Sequence, residues 1–368
     1  MTTSTATVRV FNFSAGPGVL PESVLEQVRE DVHNIRGTGI GIMEHSHRGK
    51  LFDAVLEEAE ARCRQIANIS DDYAILFMTG GATSQNHLVP MNLLPEGGHA
   101  DYAVTGKWAE ASQKEAEFYG TSNVAYTSKP DNHNHVPTQD QLKLSPDAAY
   151  FHYTSNNTIA GTQYHYRPET PGDVPLVCDA SSDFFSSPDL DVSTFGLIYA
   201  GAQKNIGPAG TTLVIVRKDL LERQPRPLPT LCNYKVFAEK GSRPNTPPVF
   251  PIYVVSLVFQ WILDQGGLAP IAERNAAKAK VIYDVLDELD FYNPHAQLGS
   301  RSLMNITFRT PSEELDKAFV AESDANGMAN LKGHRSVGGM RASIYNAFPP
   351  EGCDALAQFL RDFAAKHG

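Results

Sequence analysis

Lys204 lies in the segment Ile198-Tyr199-Ala200-Gly201-Ala202-Gln203-Lys204-Asn205-Ile206-Gly207-Pro208-Ala209-Gly210, just past an apolar run and among three glycines. Glycines there let backbone approach a ligand closely, and a lysine so placed can form an imine with a carbonyl compound. A single lysine is more often a solvated surface group. The loop lacks the G-x-x-x-x-G-K-[ST] pattern of a nucleotide-binding turn, so taken alone it leaves both readings open. Asp179 ends the apolar run Leu176-Val177-Cys178-Asp179, 25 residues before Lys204. An acid at the carboxyl end of a strand faces the crevice in which α/β proteins bind ligands. Standing alone, such an Asp as readily caps the next turn.

A lysine and an acid of this kind are what pyridoxal phosphate (PLP) needs. The carboxylate pairs with the protonated ring nitrogen and keeps the ring able to take up carbanion charge. The segment Phe77-Met78-Thr79-Gly80-Gly81-Ala82-Thr83-Ser84-Gln85 adds a Gly-rich turn from strand to helix. Such a turn offers free N–H groups and a positive dipole end to a phosphate, with the Thr83 and Ser84 hydroxyls as further donors. Many α/β proteins carry Gly-Gly before a helix, so this signal is weak by itself. Trp108, one of two tryptophans, follows the run Tyr102-Ala103-Val104-Thr105 and could stack on a flat heteroaromatic ring. A lone Trp is more often part of a core.

The elements that must position these residues can be read from periodicity. Leu25, Val28, Val32 and Ile35, then Phe52, Val55, Leu56, Ala59, Cys63 and Ile66, recur at helical spacing. Apolar runs at 73–78, 102–105, 149–153, 174–178, 197–200 and 213–216 read as short buried strands, and helical patterns follow the first two at 84–94 and 108–119. That alternation predicts an α/β domain with a mainly parallel sheet flanked by helices. A Pro-rich stretch at 224–229 and the segment 243–251 interrupt it. Helices near 254–263, 272–289, 313–324 and 354–366, with strands at 303–308 and 341–345, predict a smaller C-terminal α+β domain. The expected division is 1–264 and 265–368, with the first 15 or so residues able to pack on the smaller unit.

Composition bounds the function. The chain has 368 residues, 31 Lys plus Arg against 42 Asp plus Glu, and a net charge of −11. So acidic a chain is a poor general nucleic-acid binder, whose affinity rests on neutralising phosphates. Cys63, Cys178, Cys232 and Cys353 are far apart with no C-x-x-C pair, which argues against a zinc ribbon or a secreted disulfide framework and for a reducing compartment. No metal site is expected. The start, Met1 to Val10, lacks the basic and apolar regions of a signal peptide. The longest apolar stretch, 249–263, is broken by Pro251 and Gln260, so neither a membrane span nor a location outside the cytoplasm is expected.

Taken together, the motifs resemble the class V aminotransferase family of fold-type-I PLP enzymes, and within it the phosphoserine branch. The resemblance runs from Phe11-Asn12-Phe13-Ser14-Ala15-Gly16-Pro17 through Ser46-His47-Arg48-Gly49-Lys50, the 202–210 loop and Asn245-Thr246-Pro247-Pro248 to the segment 333–346. It covers nearly the whole chain and implies that the parallel sheet of the large domain is of seven-stranded type. The resemblance implies Lys204 as the lysine that holds PLP and moves the proton at substrate Cα, and Asp179 as the partner of the ring nitrogen. Trp108 would stack on the ring, and Thr158 would hydrogen-bond near its substituents. Ala82, Thr83 and Gln203 would hold the phosphate, with Asn245 and Thr246 reaching it from a neighbouring subunit of a homodimer.

The implied reaction is a two-stage transamination in L-serine biosynthesis. L-glutamate leaves as 2-oxoglutarate, and 3-phosphohydroxypyruvate becomes O-phospho-L-serine. The phosphohydroxythreonine step of pyridoxine biosynthesis is a related expectation. Arg341 would take the α-carboxylate, for which a guanidinium fork is suited. His47, Arg48, His334 and Arg335 would meet the distal phosphate or the γ-carboxylate. An Arg chosen at random is usually a surface ion-pair partner of little worth, but two His-Arg dipeptides in Gly-bearing segments of so acidic a chain argue for a focused anion site. Some family members carry a larger or basic side chain where this chain has Thr83, which shifts the anion load onto Arg48, His47 and Arg335. His45 reads as a solvent-facing loop residue. The alternatives are another class V aminotransferase, such as a serine–glyoxylate type, a cysteine desulfurase, or an inactive PLP-binding protein. Cys178 in a buried strand and Cys353 before a helical pattern suit a desulfurase poorly.

Overall fold

The structure, a computed structural model, describes residues 9–368; the Thr/Ser-rich start at 1–8 lies outside them. Seven strands form the central sheet: β1 (Tyr73–Thr79), β2 (His99–Val104), β3 (Thr121–Thr127), β4 (Phe151–Thr154), β5 (Leu176–Asp179), β6 (Leu197–Gly201) and β7 (Thr211–Arg217). Their spatial order is β1-β7-β6-β5-β4-β2-β3. Only β7 runs against its neighbours; the pairs β6–β5, β5–β4, β4–β2 and β2–β3 are parallel. The fold is therefore α/β with a mostly parallel sheet, as the alternation predicts.

Both faces of this sheet are covered, which is why its strands read as unbroken apolar runs. Ile75, Phe77, Ile198 and Ala200 join one core, while Ala74, Leu76, Leu197 and Tyr199 join the core on the other face. The edge strand β3 escapes the sequence reading because its residues are polar and largely exposed, with little apolar run to detect. The stretch 249–264 also differs from expectation. Pro251 falls in the first turn of the helix Val249–Asp264, where a missing N–H costs nothing, so the helix is unbroken.

A second core gathers around an antiparallel sheet of Asn293–Pro294, Asn305–Arg309 and Met340–Ser343. The helices Leu268–Glu288, Glu313–Ala325 and Pro350–His367 contribute Ile282, Phe319 and Leu360 to it. The helix Leu268–Glu288 serves both cores, giving Leu268 and Ile271 to the first and Ala279 to Leu286 to the second. The strand Phe11–Asn12 pairs in parallel with Met328–Ala329, and Phe13 is fully buried in the second core. No single helix among the described residues is long and apolar enough to cross a membrane, and the helix pair 249–264 and 268–288 is bent by 88°.

Candidate active site

Two strand ends meet the phosphate-type turn. Asp179 is the last residue of β5, and Lys204 lies three residues past β6, its neighbour in the sheet. Parallel neighbours end on the same edge, so both side chains reach one crevice. That crevice is a pocket of about 260 Å³ lined by Ala82, Thr83, Trp108, Thr158, Asp179, Gln203, Lys204, His334 and Arg341. Nine of the residues singled out in the sequence therefore share one cavity within a single chain.

Lys204 Nζ donates to Thr158 Oγ1 at 2.8 Å. Burial pushes its amine down to about 8; the Asp179 charge opposes that shift and the Arg341 charge adds to it. Asp179 is 7 % exposed and accepts from the Ser181 N–H at 2.9 Å. Burial raises its pKa, against the pull of Lys204 and Ser181. A desolvated carboxylate with one backbone donor is suited to a charged N–H partner, such as a protonated ring nitrogen.

Beyond β1, Gly80 adopts φ +101°, a conformation that favours glycine, and the chain turns at Gly81 into residues 82–84 and the helix Gln85–Leu93. Ala82 and Thr83 open that turn, where the first N–H groups lack intrahelical acceptors, and both line the pocket. Trp108 follows Gly106, whose backbone lies so close to Asn157 that an added Cβ would stand 2.3 Å from Asn157 Oδ1. The close approach holds the indole beside Thr158 and Ile159. Trp108 is 41 % exposed and lines the cavity, where its indole is available for stacking.

Arg341 comes from the second sheet, in the strand Met340–Ser343. Its Nη1 donates to the Thr158 carbonyl at 3.4 Å. The neighbouring strand fixes this position, because Thr307 Oγ1 donates to the Ala160 carbonyl at 2.8 Å. Asn305 accepts from Asn156 at 2.8 Å and donates to Ser343 at 2.9 Å. Arg341 is desolvated, which lowers its pKa, yet a guanidinium stays charged and an anion would relieve the cost. His334 is depressed by burial first and then by the charges of Arg341, Arg335 and Lys107.

Five expected residues lie elsewhere in the chain. His47 is half-buried and Arg48 exposed, in a loop whose His47 carbonyl accepts from Arg243 at 3.3 Å. Asn245 and Thr246 follow two and three residues after that same Arg243. The Arg243 contact ties the His47 loop to the segment that carries Asn245 and Thr246, and none of the four lines the pocket of Lys204. Arg335 is exposed beside His334 and does not line the pocket. His45 is half-buried rather than fully open to solvent, at 3.2 Å from Thr38 Oγ1. Sequence reasoning missed Asn86, Ile159 and Ser181 on the pocket wall. Ser181 had a signal, two residues past Asp179, where a turn donor to the carboxylate belongs.

The donor set fits PLP: an amine, a buried acid across the cavity, a flat aromatic face and an N–H turn at one end. No group of three or more His, Cys, Asp or Glu among the described residues is arranged to hold a metal ion.

A family model described as aminotransferase class-V matches residues 10–356. The chain is 50 % identical over 360 residues to the phosphoserine aminotransferase of Herpetosiphon aurantiacus, covering 98 % of this chain and 99 % of that protein. It is 52 % identical over 362 residues to that of Desulfatibacillum aliphaticivorans, at 98 % and 99 % coverage. Among solved structures, phosphoserine aminotransferase from Bacillus circulans subsp. alkalophilus superposes with a TM-score of 0.95 at 47 % identity, covering 98 % of this chain and 99 % of that one. The PLP-bound enzyme from Trichomonas vaginalis gives a TM-score of 0.91 at 38 % identity, with 96 % and 100 % coverage.

Proposed function

The chain belongs to the class-V aminotransferase family and is a PLP-dependent transaminase; from that premise we propose how its residues share the work. The overall reaction is 3-phosphohydroxypyruvate + L-glutamate ⇌ O-phospho-L-serine + 2-oxoglutarate, the activity named for its 50–52 % identical relatives. The observation that carries the reading is that Lys204, Asp179, Thr158 and Arg341 converge on one pocket. When bound, the cofactor supplies an electron sink for negative charge at substrate Cα.

The chain's own residues do the rest. Arg341 holds the α-carboxylate common to both substrates and so fixes Cα within reach of Lys204. Lys204, with its amine near pKa 8, takes the Cα proton and returns it. Asp179 would keep the ring nitrogen protonated, and Trp108 would cover the ring and exclude water. Thr158 positions both Lys204 and Arg341. Ala82, Thr83 and Gln203 hold the phosphate end, and His334 turns toward the distal anion.

Arg335, His47 and Arg48 complete the distal site in our reading, and Asn245 and Thr246 complete the phosphate site from a partner subunit. The His47–Arg243 contact supports this, because it ties the His47–Arg48 loop to the segment that carries Asn245 and Thr246, away from the pocket of the same chain. The unit 265–368 acts as the substrate cap on the larger unit 1–264. Four free thiols suit a reducing cytoplasm. The phosphohydroxythreonine step of pyridoxine biosynthesis is a secondary proposal on the same anion chemistry.

Steady-state rates with 3-phosphohydroxypyruvate, pyruvate and glyoxylate as acceptors test the substrate. Preference for the phosphorylated acceptor is expected; preference for glyoxylate would transfer the assignment to a serine–glyoxylate-type enzyme. Mixing the inactive Lys204→Ala protein with an Asn245→Ala, Thr246→Ala protein tests the shared site. Recovery of activity on mixing is expected, and no recovery after subunit exchange would sink it.

A further inference from the structure

Glu110, in the first turn of the helix Lys107–Ala116, holds three ammonium groups: Lys129 at 2.7 Å, Lys114 at 3.2 Å and Lys107 at 3.3 Å. One carboxylate among three lysines leaves a local excess of positive charge in a chain of net charge −11. The Lys129 bond above all keeps the Glu110 carboxyl low, at about 2, so it stays ionised and paired when one lysine leaves. Lys107 makes the longest of the three contacts and is 46 % exposed, so its release costs little. It also occupies the first position of its helix, where a cation opposes the macrodipole. Local stability therefore gives only a weak reason for lysine at this place.

The site gives a stronger one. Lys107 and Trp108 share a crevice with His133, Ser336 and Val337, and Trp108 in turn lines the main pocket with His334 and Arg341. The Lys107 charge is felt at His334. On the crevice wall His133 is only 5 % exposed, yet neither ring nitrogen has a hydrogen-bond partner among the described residues. A buried imidazole left unpaired marks a wall that lacks a partner in the free protein.

We propose that Lys107 swings from Glu110 to the distal dianion of the phosphorylated substrate and holds it together with His334, while His133 meets that anion's hydration water. The crevice beside His133, about 10 Å³, is the size of one such water. The inference rests on the substrate reading above and deepens it. Lys107 makes the enzyme select a doubly charged terminal group over a neutral one.

The holoenzyme and its Lys107→Met and Lys107→Arg variants test this, with intact visible absorbance of the bound cofactor as the check on folding. For Lys107→Met, kcat/KM with 3-phosphohydroxypyruvate should fall roughly five- to twentyfold, mostly in KM, and its salt dependence should weaken. With pyruvate, which has no distal anion, it should change less than twofold. Calorimetry with 3-phosphoglycerate, which has the carboxylate and phosphate but no group to transfer, should show a matching loss of affinity that Lys107→Arg restores. Equal effects on both acceptors, or unchanged binding of 3-phosphoglycerate, would overturn the role of Lys107 alone. A wild-type enzyme indifferent to the phosphate would overturn the substrate reading and this inference with it.

Discussion

Lys204 and Arg341 are joined through one residue: Thr158 accepts from Lys204 Nζ at its hydroxyl and from Arg341 Nη1 at its carbonyl, at 2.8 and 3.4 Å. The amine comes from the large sheet and the guanidinium from the small one. The segment 156–163 between them is bound to both, since Asn156 donates to Ser182 and to Asn305. The distance between the proton-moving group and the carboxylate-binding group is thus set where two separate cores meet.

Lys204→Ala should remove attachment of the cofactor and lower kcat by at least about 10³-fold, the scale of a lost acid–base group. Borohydride reduction and peptide mapping check the assignment directly. The label should fall on Lys204 in the wild type and on no other lysine.

The pH dependence of cofactor uptake follows from the lowered Lys204 pKa. With a pKa near 8 rather than 10.5, about one-tenth of the amine is neutral at pH 7, against about three in ten thousand for an ordinary lysine. Stopped-flow uptake of PLP by cofactor-free protein should therefore rise with pH through a midpoint near 8 and level off about one unit above it. The unfolded chain keeps this proton up to the ordinary value, whereas the folded chain releases it near 8. Stability of the cofactor-free protein should thus rise with pH between those points, and Lys204→Met should flatten that rise.

Arg341→Ala should weaken glutamate and 3-phosphohydroxypyruvate alike, each by roughly ten- to a hundredfold in kcat/KM, because both carry the same α-carboxylate. Separate half-reaction measurements decide this. A loss confined to one substrate would place Arg341 on the distal group instead.

Trp108→Ala should weaken PLP binding by about three- to tenfold through lost stacking, with a smaller effect on folding because the residue is 41 % exposed in the cofactor-free chain. Equilibrium dialysis measures the first effect and thermal unfolding of the cofactor-free protein the second.

Lys278 is a structural counterpart to Lys204. It is 2 % exposed and donates to the carbonyls of Ile344, Tyr345 and Phe348 at 3.0, 2.7 and 3.2 Å. Those residues continue the chain from the Arg341 strand, and Asn346 accepts from Asn275 and binds Asn205, next to Lys204. Lys278→Met should cost roughly 3–5 kcal/mol, because several buried carbonyls lose their donor at once. Denaturant unfolding gives the measurement.

Lys204, Asp179 and the Gly80-Gly81 turn were legible because strand ends and glycines announce themselves in local sequence. So were the buried strands, whose apolar runs follow from burial on both faces. Lys278 was not legible, since nothing in its helix distinguishes it from the exposed Lys280 two residues later. Only the folded chain brings the carbonyls at 344–348 to it. Tyr345 likewise finds its acceptor, the Ala15 carbonyl, from 330 positions away. His47, Arg48, Asn245 and Thr246 rested on the family resemblance, and a single chain does not bring them to Lys204.

The pairing of Phe11–Asn12 with Met328–Ala329 bears on how the protein is made. Asn330 donates to Asn12 across 318 positions, and Phe13 fills a space walled by residues such as Met328, Phe348 and Leu360, which are translated far later. The earlier of these segments leaves the ribosome before its partner strand exists and must wait until some 318 further residues have followed it. Chaperone occupancy at this stretch during synthesis, and a slow final docking phase after dilution from denaturant, are the expected signatures of such a late closure.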